Sequence, residues 1–301
     1  MLNIEHIENC NLKNYSTFKI GGQAKCVWFP QNTDEFILLL NNLSNPVVLG
    51  SGSNTLFSSG FIDKDIILTS KMDKFEINEN ILFIECGVKS AMIANKLAQL
   101  GLSGLEFLIG FPARFGGAIY QNAGAKGQTI SDTFCSAQVF DLINKQIIEL
   151  NKEDMLFDYR KSVLSDKKYI LLNAKFILNK TDKKITQEKI NENIDFRQKH
   201  QPMLSLPNVG SIFKNPEGNS AGKLIEEAGF KGLKVGGAKV WENHANFIIN
   251  NDNATSFDVL SLMFEIKKSV LEKFNINLYS EINFISGNNE EENKLWKLLQ
   301  K

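Results

Sequence analysis

Gly110-Phe-Pro112-Ala-Arg-Phe-Gly116-Gly117-Ala-Ile-Tyr-Gln-Asn122-Ala-Gly124-Ala-Lys-Gly127 places five glycines in eighteen positions. A backbone this poor in bulky side chains lets a flat or charged group come close to its N–H donors. Upstream, Pro46-Val-Val-Leu-Gly50-Ser51-Gly52-Ser53-Asn54 runs from a short apolar stretch directly into a second loop of small residues, suited to a phosphate. The dinucleotide fingerprint G-x-G-x-x-G fails there. Thr55 holds the third glycine position, and Thr55-Leu-Phe-Ser-Ser-Gly60 does not read as a helix start. An ordinary Rossmann turn is therefore excluded, and on spacing alone the glycines serve equally well as tight turns between strands.

Strand-like runs surround these loops. Val47–Leu49, Ile66–Ser70, Ile81–Cys86, Ala137–Ile143, Gln146–Leu150 and Tyr169–Leu178 are rich in Val, Ile and Phe and bounded by turn residues. Two helices are predicted among them. Asp34–Leu43 is entered through Thr33, and Ala91–Leu100 is capped by Ser90 and stopped by Gly101, with Ala94, Leu97 and Ala98 on one face. The polar stretch Asn179–Asn193 reads as a linker. It divides the chain into a region 1–185, expected in two subdomains, and a smaller region 195–301. In the latter, a helix Ala221–Ala228 ended by Gly229, a strand Asn246–Asn250 and a helix Phe257–Phe274 are predicted. The last carries Val259, Met263, Ile266, Val270 and Phe274 as one apolar stripe.

The composition narrows the function. A chain of 301 residues with 43% apolar and 23% charged residues is globular and long enough for two domains. Its 34 basic residues balance 34 acidic ones, which argues against nucleic acid as a partner. Cys10, Cys26, Cys86 and Cys135 form no C-x-x-C pair and read as reduced structural thiols, so no metal is expected. No apolar run approaches the roughly 20 residues of a membrane span and no signal sequence opens the chain; a cytoplasmic location without membrane insertion is the expectation.

Further motifs stand in order along the chain: Asn14-Tyr-Ser-Thr-Phe-Lys-Ile-Gly21-Gly22, Asp158-Tyr159-Arg160-Lys-Ser162, Arg197-Gln-Lys199-His-Gln201-Pro202, Gly210-Ser211-Ile-Phe-Lys214-Asn215-Pro216, His244-Ala-Asn-Phe-Ile-Ile-Asn250 and Ser280-Glu281-Ile282. Together with the two glycine loops they resemble the UDP-N-acetylenolpyruvoylglucosamine reductase (MurB) family across nearly the whole chain. The short interval between Arg160 and Ser211 resembles the class that lacks an inserted loop with a substrate-clamping tyrosine. The resemblance implies an α+β chain: a vanillyl-alcohol-oxidase, PCMH-type FAD-binding fold followed by a smaller α/β domain for the UDP-sugar. It also implies a monomer that reduces UDP-N-acetylglucosamine enolpyruvate to UDP-N-acetylmuramate with FAD and NADPH, in peptidoglycan synthesis. The family's Gly, Ser or Thr, and aliphatic residue before the Gly-Gly pair are replaced by Ala113, Arg114 and Phe115. A glycine at positive φ replaced by Ala113 would cost roughly 1 kcal/mol. Arg114 either meets the flavin pyrophosphate or turns to solvent.

By the same resemblance, Gly50, Ser51, Gly52, Ser53, Asn54, Pro112, Gly116, Gly117, Asn122, Gly124 and Gly127 hold FAD. Arg160, Ser211 and Glu281 are catalytic, and Tyr159, Lys199 and Asn215 bind substrate. Hydride delivered to the enol ether methylene leaves negative charge on the neighbouring carbon and its carboxylate, which a guanidinium such as that of Arg160 stabilises. The carbon then takes a proton from Ser211. Glu281 hydrogen-bonds the carboxylate or acts as a protonated acid. His244 is expected to anchor a strand. Two rival readings are a flavin oxidase of the same fold and a colourless uridine-nucleotide-binding protein.

Overall fold

Tyr169–Ile177 is the middle strand of a five-stranded antiparallel sheet, because it can bury Leu171, Leu172, Ala174 and Phe176. Phe134–Asp141 pairs with it on one side and is edged by Gln146–Asn151. Ile81–Glu85 pairs on the other side and is edged by Phe75–Asn78. The computed structural model describes residues 2–301. This sheet belongs to the first of two units, made of Met1–Ile7, Val27–Ser51 and Asp65–Arg197.

Helix α1 (Thr33–Asn42) starts from Asn32, whose side chain accepts from the Glu35 amide, so the cap is one residue earlier than predicted. Helix α2 (Ser90–Leu100) buries Ile93, Ala94, Leu97 and Ala98 and stops at Gly101, whose φ of 73° is left-handed. Ser90 makes no capping bond, and Lys89 stands at the N-cap. Helix α3 (Phe115–Tyr120) is a short helix inside the second glycine loop. It is seated on the sheet by Phe115, which is fully buried with its ring edge-on to Phe176 at 5.6 Å between centroids. Such a pair contributes about 0.5–1.5 kcal/mol beyond the area it buries.

The predicted linker is a correction: Lys183–His200 is a continuous helix, α4. It has little apolar surface, with only Thr186 and Ile190 buried, and hydrogen bonds hold it instead. Thr186 Oγ1 donates to the Ala98 carbonyl at 2.7 Å, Lys189 Nζ to Ser103 Oγ at 3.0 Å, and Arg197 Nε to the Gly110 carbonyl at 2.9 Å.

The second unit comprises Glu8–Cys26, Gly52–Lys64 and Gln198–Lys301. The compact units thus differ from the predicted division at 185–195, and the reason lies in the core. Phe18, Ile20 and Leu56 are fully buried among Val209, Ile212, Phe213 and the apolar residues of the C-terminal segment. Strand Thr55–Phe57 runs parallel to Asn283–Ile285, with Leu56 opposite Phe284. Each fully buried side chain of this size contributes roughly 1.5–3 kcal/mol. Around them lies a four-stranded sheet in the order Asn208–Ser211, Phe247–Asn250, Ala238–Val240, Lys234–Val235.

Helix α5 (Ala221–Glu227) is capped by Ser220. Helix α6 (Ser256–Phe274) buries the predicted stripe of Val259, Met263, Ile266 and Val270, and Phe274 packs partly buried beside it. Helix α7 (Glu290–Leu299), for which the sequence pattern raised no expectation, brings in Glu292. This carboxylate is fully buried and accepts from Ser58 Oγ and Ser256 Oγ, each at 2.5 Å. No disulfide forms among the described residues; burial pushes the Cys86 thiol up to about 12, with the Glu85 charge adding to it, so it is inert at neutral pH. No helix among the described residues is long and apolar enough to cross a membrane.

Candidate functional site

The first glycine loop leaves strand Val47–Leu49, which is parallel to the Ile66–Leu68 end of its neighbour. Gly50 and Ser51 come next, both half-buried. A Cβ on Gly50 would lie 3.2 Å from the Cβ of Arg114, so a larger residue forces a shift. The second loop is stitched to the segment before α2 by three backbone bonds. The Ser90 amide donates to the Ala113 carbonyl at 3.0 Å, Phe115 to Val88 at 2.9 Å and Gly116 to Cys86 at 2.7 Å. A Cβ at Gly116 would lie 3.1 Å from both the Cβ and the carbonyl oxygen of Cys86, so a larger residue there would push on that segment. Pro112 and Gly117 are exposed, and nothing lies within 4 Å of where a Gly117 Cβ would be. This bare backbone is the cradle a dinucleotide needs.

Ala113 does not have positive φ, so the expected strain at that position is absent. Arg114 does not turn wholly to solvent. It donates through Nη1 to the Gly87 carbonyl, and its Nε is buried without a partner.

The far end of the loop holds the Arg160 motif. Asp158 and Lys161 exchange backbone bonds of 3.1 and 3.2 Å, closing a two-residue turn with Tyr159 and Arg160 at its tip. Arg160 has φ of 54°, a left-handed conformation that costs an L-residue roughly 1–2 kcal/mol and that clusters at functional sites. Its guanidinium lies over the Tyr159 ring at 5.3 Å and donates weakly to the Gly124 carbonyl at 3.5 Å. Asn122 braces the turn: Nδ2 donates to the Asp158 carbonyl at 3.2 Å, while Oδ1 accepts from the Ser131 amide at 3.1 Å. Ser162, fully buried, donates to the Tyr120 carbonyl at 2.8 Å. Gly124 opens a hairpin in which Lys126 and Gly127, with φ of 53° and 78°, form the turn. Thus Asn122, Gly124, Tyr159 and Arg160 are gathered in one place.

In the second unit, Gly52 has φ of 60°, and a Cβ there would lie 2.5 Å from the Tyr15 carbonyl oxygen. Ser53 is half-buried. Asn54 joins the C-terminal motif, its Nδ2 donating to the Glu281 carbonyl at 3.0 Å and its own carbonyl accepting from the Asn283 amide at 3.0 Å. Ser211 ends strand Asn208–Ser211 just after an irregularity at Gly210, whose φ is 80°. Such a bulge re-aims the side chain that comes after it. The Glu281 amide donates to the Ile212 carbonyl at 2.8 Å, so Ser211 and Glu281 lie on adjoining stretches of backbone. Both side chains are half-buried.

Asn246, inside the His244-to-Asn250 motif, is given no role by the sequence reading. It is buried, accepts from the Phe213 amide at 3.0 Å and donates to the Phe213 carbonyl at 2.8 Å, fixing the segment after Ser211. Asn215 is exposed and accepts from the Ala221 amide at 3.0 Å; Lys199 is exposed in the last turn of α4. His244 Nδ1 accepts from the Asn246 amide at 3.2 Å and its ring meets Phe247 edge-on, consistent with a strand anchor. Among the described residues, no group of three His, Cys, Asp or Glu side chains could hold a metal.

Known proteins resemble this chain over most of its length. Residues 201–285 match the model of the UDP-N-acetylenolpyruvoylglucosamine reductase C-terminal domain, and residues 24–151 match an FAD binding domain. The UDP-N-acetylenolpyruvoylglucosamine reductase of Caldicellulosiruptor saccharolyticus is 44% identical over 94% of this chain and 93% of its own. That of Bacillus subtilis is 38% identical over 94% of each. The crystal structure of UDP-N-acetylenolpyruvylglucosamine reductase from Thermus caldophilus superposes with a TM-score of 0.81 at 30% identity, covering 95% of this chain and all of that one.

Proposed function

The chain belongs to the UDP-N-acetylenolpyruvoylglucosamine reductase family, and from this we propose that it reduces UDP-N-acetylglucosamine enolpyruvate to UDP-N-acetylmuramate, with FAD as cofactor and NADPH as reductant. This is an oxidoreductase step of peptidoglycan precursor synthesis, carried out in the cytoplasm by a monomer. The observation that carries the reading is the placement of Ser211 directly after the Gly210 irregularity and one residue from the Ile212 carbonyl that accepts the Glu281 amide. A hydroxyl and a carboxyl carried on adjoining stretches of backbone suit proton delivery to a carbon beside a carboxylate.

When bound and reduced by NADPH, FAD would supply hydride to the methylene carbon of the enol ether. The protein's own groups manage the charge and the proton. Arg160, fixed at the tip of its turn, holds the substrate carboxylate and offsets the charge that builds on it. Ser211 would give its proton to the adjacent carbon, its alkoxide then taking a proton from water, and Glu281, as a protonated acid, would hydrogen-bond the same carboxylate. Tyr159, Lys199 and Asn215 bind the remainder of the substrate, the lysine as a point charge for the phosphates. FAD lies on Gly50, Ser51, Gly52, Ser53, Asn54, Pro112, Gly116, Gly117, Asn122, Gly124 and Gly127, where bare backbone dominates.

Anaerobic stopped-flow spectroscopy tests the reading. A yellow protein should be bleached by NADPH and recoloured by UDP-N-acetylglucosamine enolpyruvate. Colour that fails to return when the sugar is added removes the reductase assignment.

A further inference from the structure

Arg114 occupies a position where a serine or threonine was expected, and its surroundings are unusual for an arginine. Its stem lies along the first glycine loop: a Cβ at Gly50 would sit 3.2, 3.7 and 3.8 Å from its Cβ, Cγ and Cδ. Its backbone forms a bridge with Lys89 at the start of the second loop's anchorage, and Nη1 donates to the Gly87 carbonyl. The guanidinium is thus held at the junction of the two glycine loops. Among the described residues its charge has no carboxylate in ion-pair contact, and its Nε–H is buried with no acceptor. Burial lowers its pKa, with Asp73 and then Cys86 acting in the opposite sense; a guanidinium nevertheless stays charged at neutral pH.

A half-buried cation hydrogen-bonded to a neutral carbonyl, with Asp73 acting on it from beyond ion-pair contact and one donor left over, is a position that an anion would complete. We propose that Arg114 is a cofactor-binding residue that holds the diphosphate of FAD between the two glycine loops, replacing by charge the hydroxyl that a serine or threonine would offer. This rests on the FAD reading above.

FAD dissociation constants of the full-length apoprotein, measured by flavin fluorescence at several salt concentrations, test it in wild type, Arg114→Met and Arg114→Lys. Arg114→Met should weaken FAD binding about tenfold or more, the equivalent of one charge-assisted hydrogen bond. It should also flatten the salt dependence, because a screened attraction has gone. Arg114→Lys should restore both in large part. Wild-type affinity and salt slope in Arg114→Met would overturn the proposal. So would an equal loss in both variants with an unchanged slope, which marks packing alone. Apoprotein melting temperatures identify a loss that comes from unfolding, and that result too counts against a charge role. If wild-type protein binds no FAD, it is the cofactor reading that fails.

Discussion

The Glu281 amide donates to the carbonyl of Ile212 across 2.8 Å, and this one bond sets a carboxyl beside the segment that presents the Ser211 hydroxyl. Because the bond is between backbones, either side chain can be replaced without unzipping the pair. Ser211→Ala is therefore expected to fold normally and to be reduced by NADPH at nearly the wild-type rate. Reoxidation by the enolpyruvyl sugar should slow about 10²- to 10⁴-fold. Rapid-mixing traces of the two half-reactions check this, and an equal loss in both rejects the proton-donor role.

Arg160 sits at φ 54°, where glycine is at ease and arginine is not. Arg160→Gly should leave the folded state as stable as wild type or more stable by up to about 1 kcal/mol in urea titrations. The same variant should lose most turnover. Arg160→Ala should lose the activity without the gain in stability.

Among the described residues, Glu292 accepts the buried hydroxyl of Ser58, and it also receives that of Ser256. Glu292→Ala strands the Ser58 donor, at about 1–3 kcal/mol, while Ser256 Oγ keeps Ser59 Oγ as an acceptor at 3.0 Å. Thermal unfolding should shift down markedly, while kcat per folded molecule at low temperature stays near wild type. Glu292→Gln, which keeps one acceptor oxygen, should fall between.

His244 has its pKa lowered, first by burial, with the Lys231 and His200 charges adding to the effect. The folded protein therefore resists protonation that the unfolded chain accepts near 6.5. Its contribution to stability is present above that pH and is lost as the pH falls through the lower folded pKa. Chemical denaturation at several pH values should show this decline in wild type and a shallower one in His244→Gln.

Periodicity makes α6 legible, since Val259, Met263, Ile266 and Val270 recur on one face, and Gly101 with its left-handed φ marks the end of α2. Helix α4 escapes such a reading because its hold is polar and tertiary. Nothing in the local sequence shows that Thr186 will find the Ala98 carbonyl or Arg197 that of Gly110. The glycine loops and the Arg160 turn are visible as motifs. The course of Arg114 is not, because a single side chain carries no periodicity and its acceptor, Gly87, lies far off in sequence. Phe18, Ile20 and Leu56 read as ordinary apolar residues, and their partners stand at the other end of the chain.

The parallel pairing of Thr55–Phe57 with Asn283–Ile285 has a consequence for synthesis on the ribosome. At roughly 5–20 residues per second, the second strand emerges on the order of 10–45 s after the first. Throughout that interval Leu56 lacks its strand partner Phe284, and the core it shares with Phe18 and Ile20 is incomplete and a natural client for chaperones. Slowing translation in the last quarter of the message should therefore lower soluble yield more than slowing it earlier.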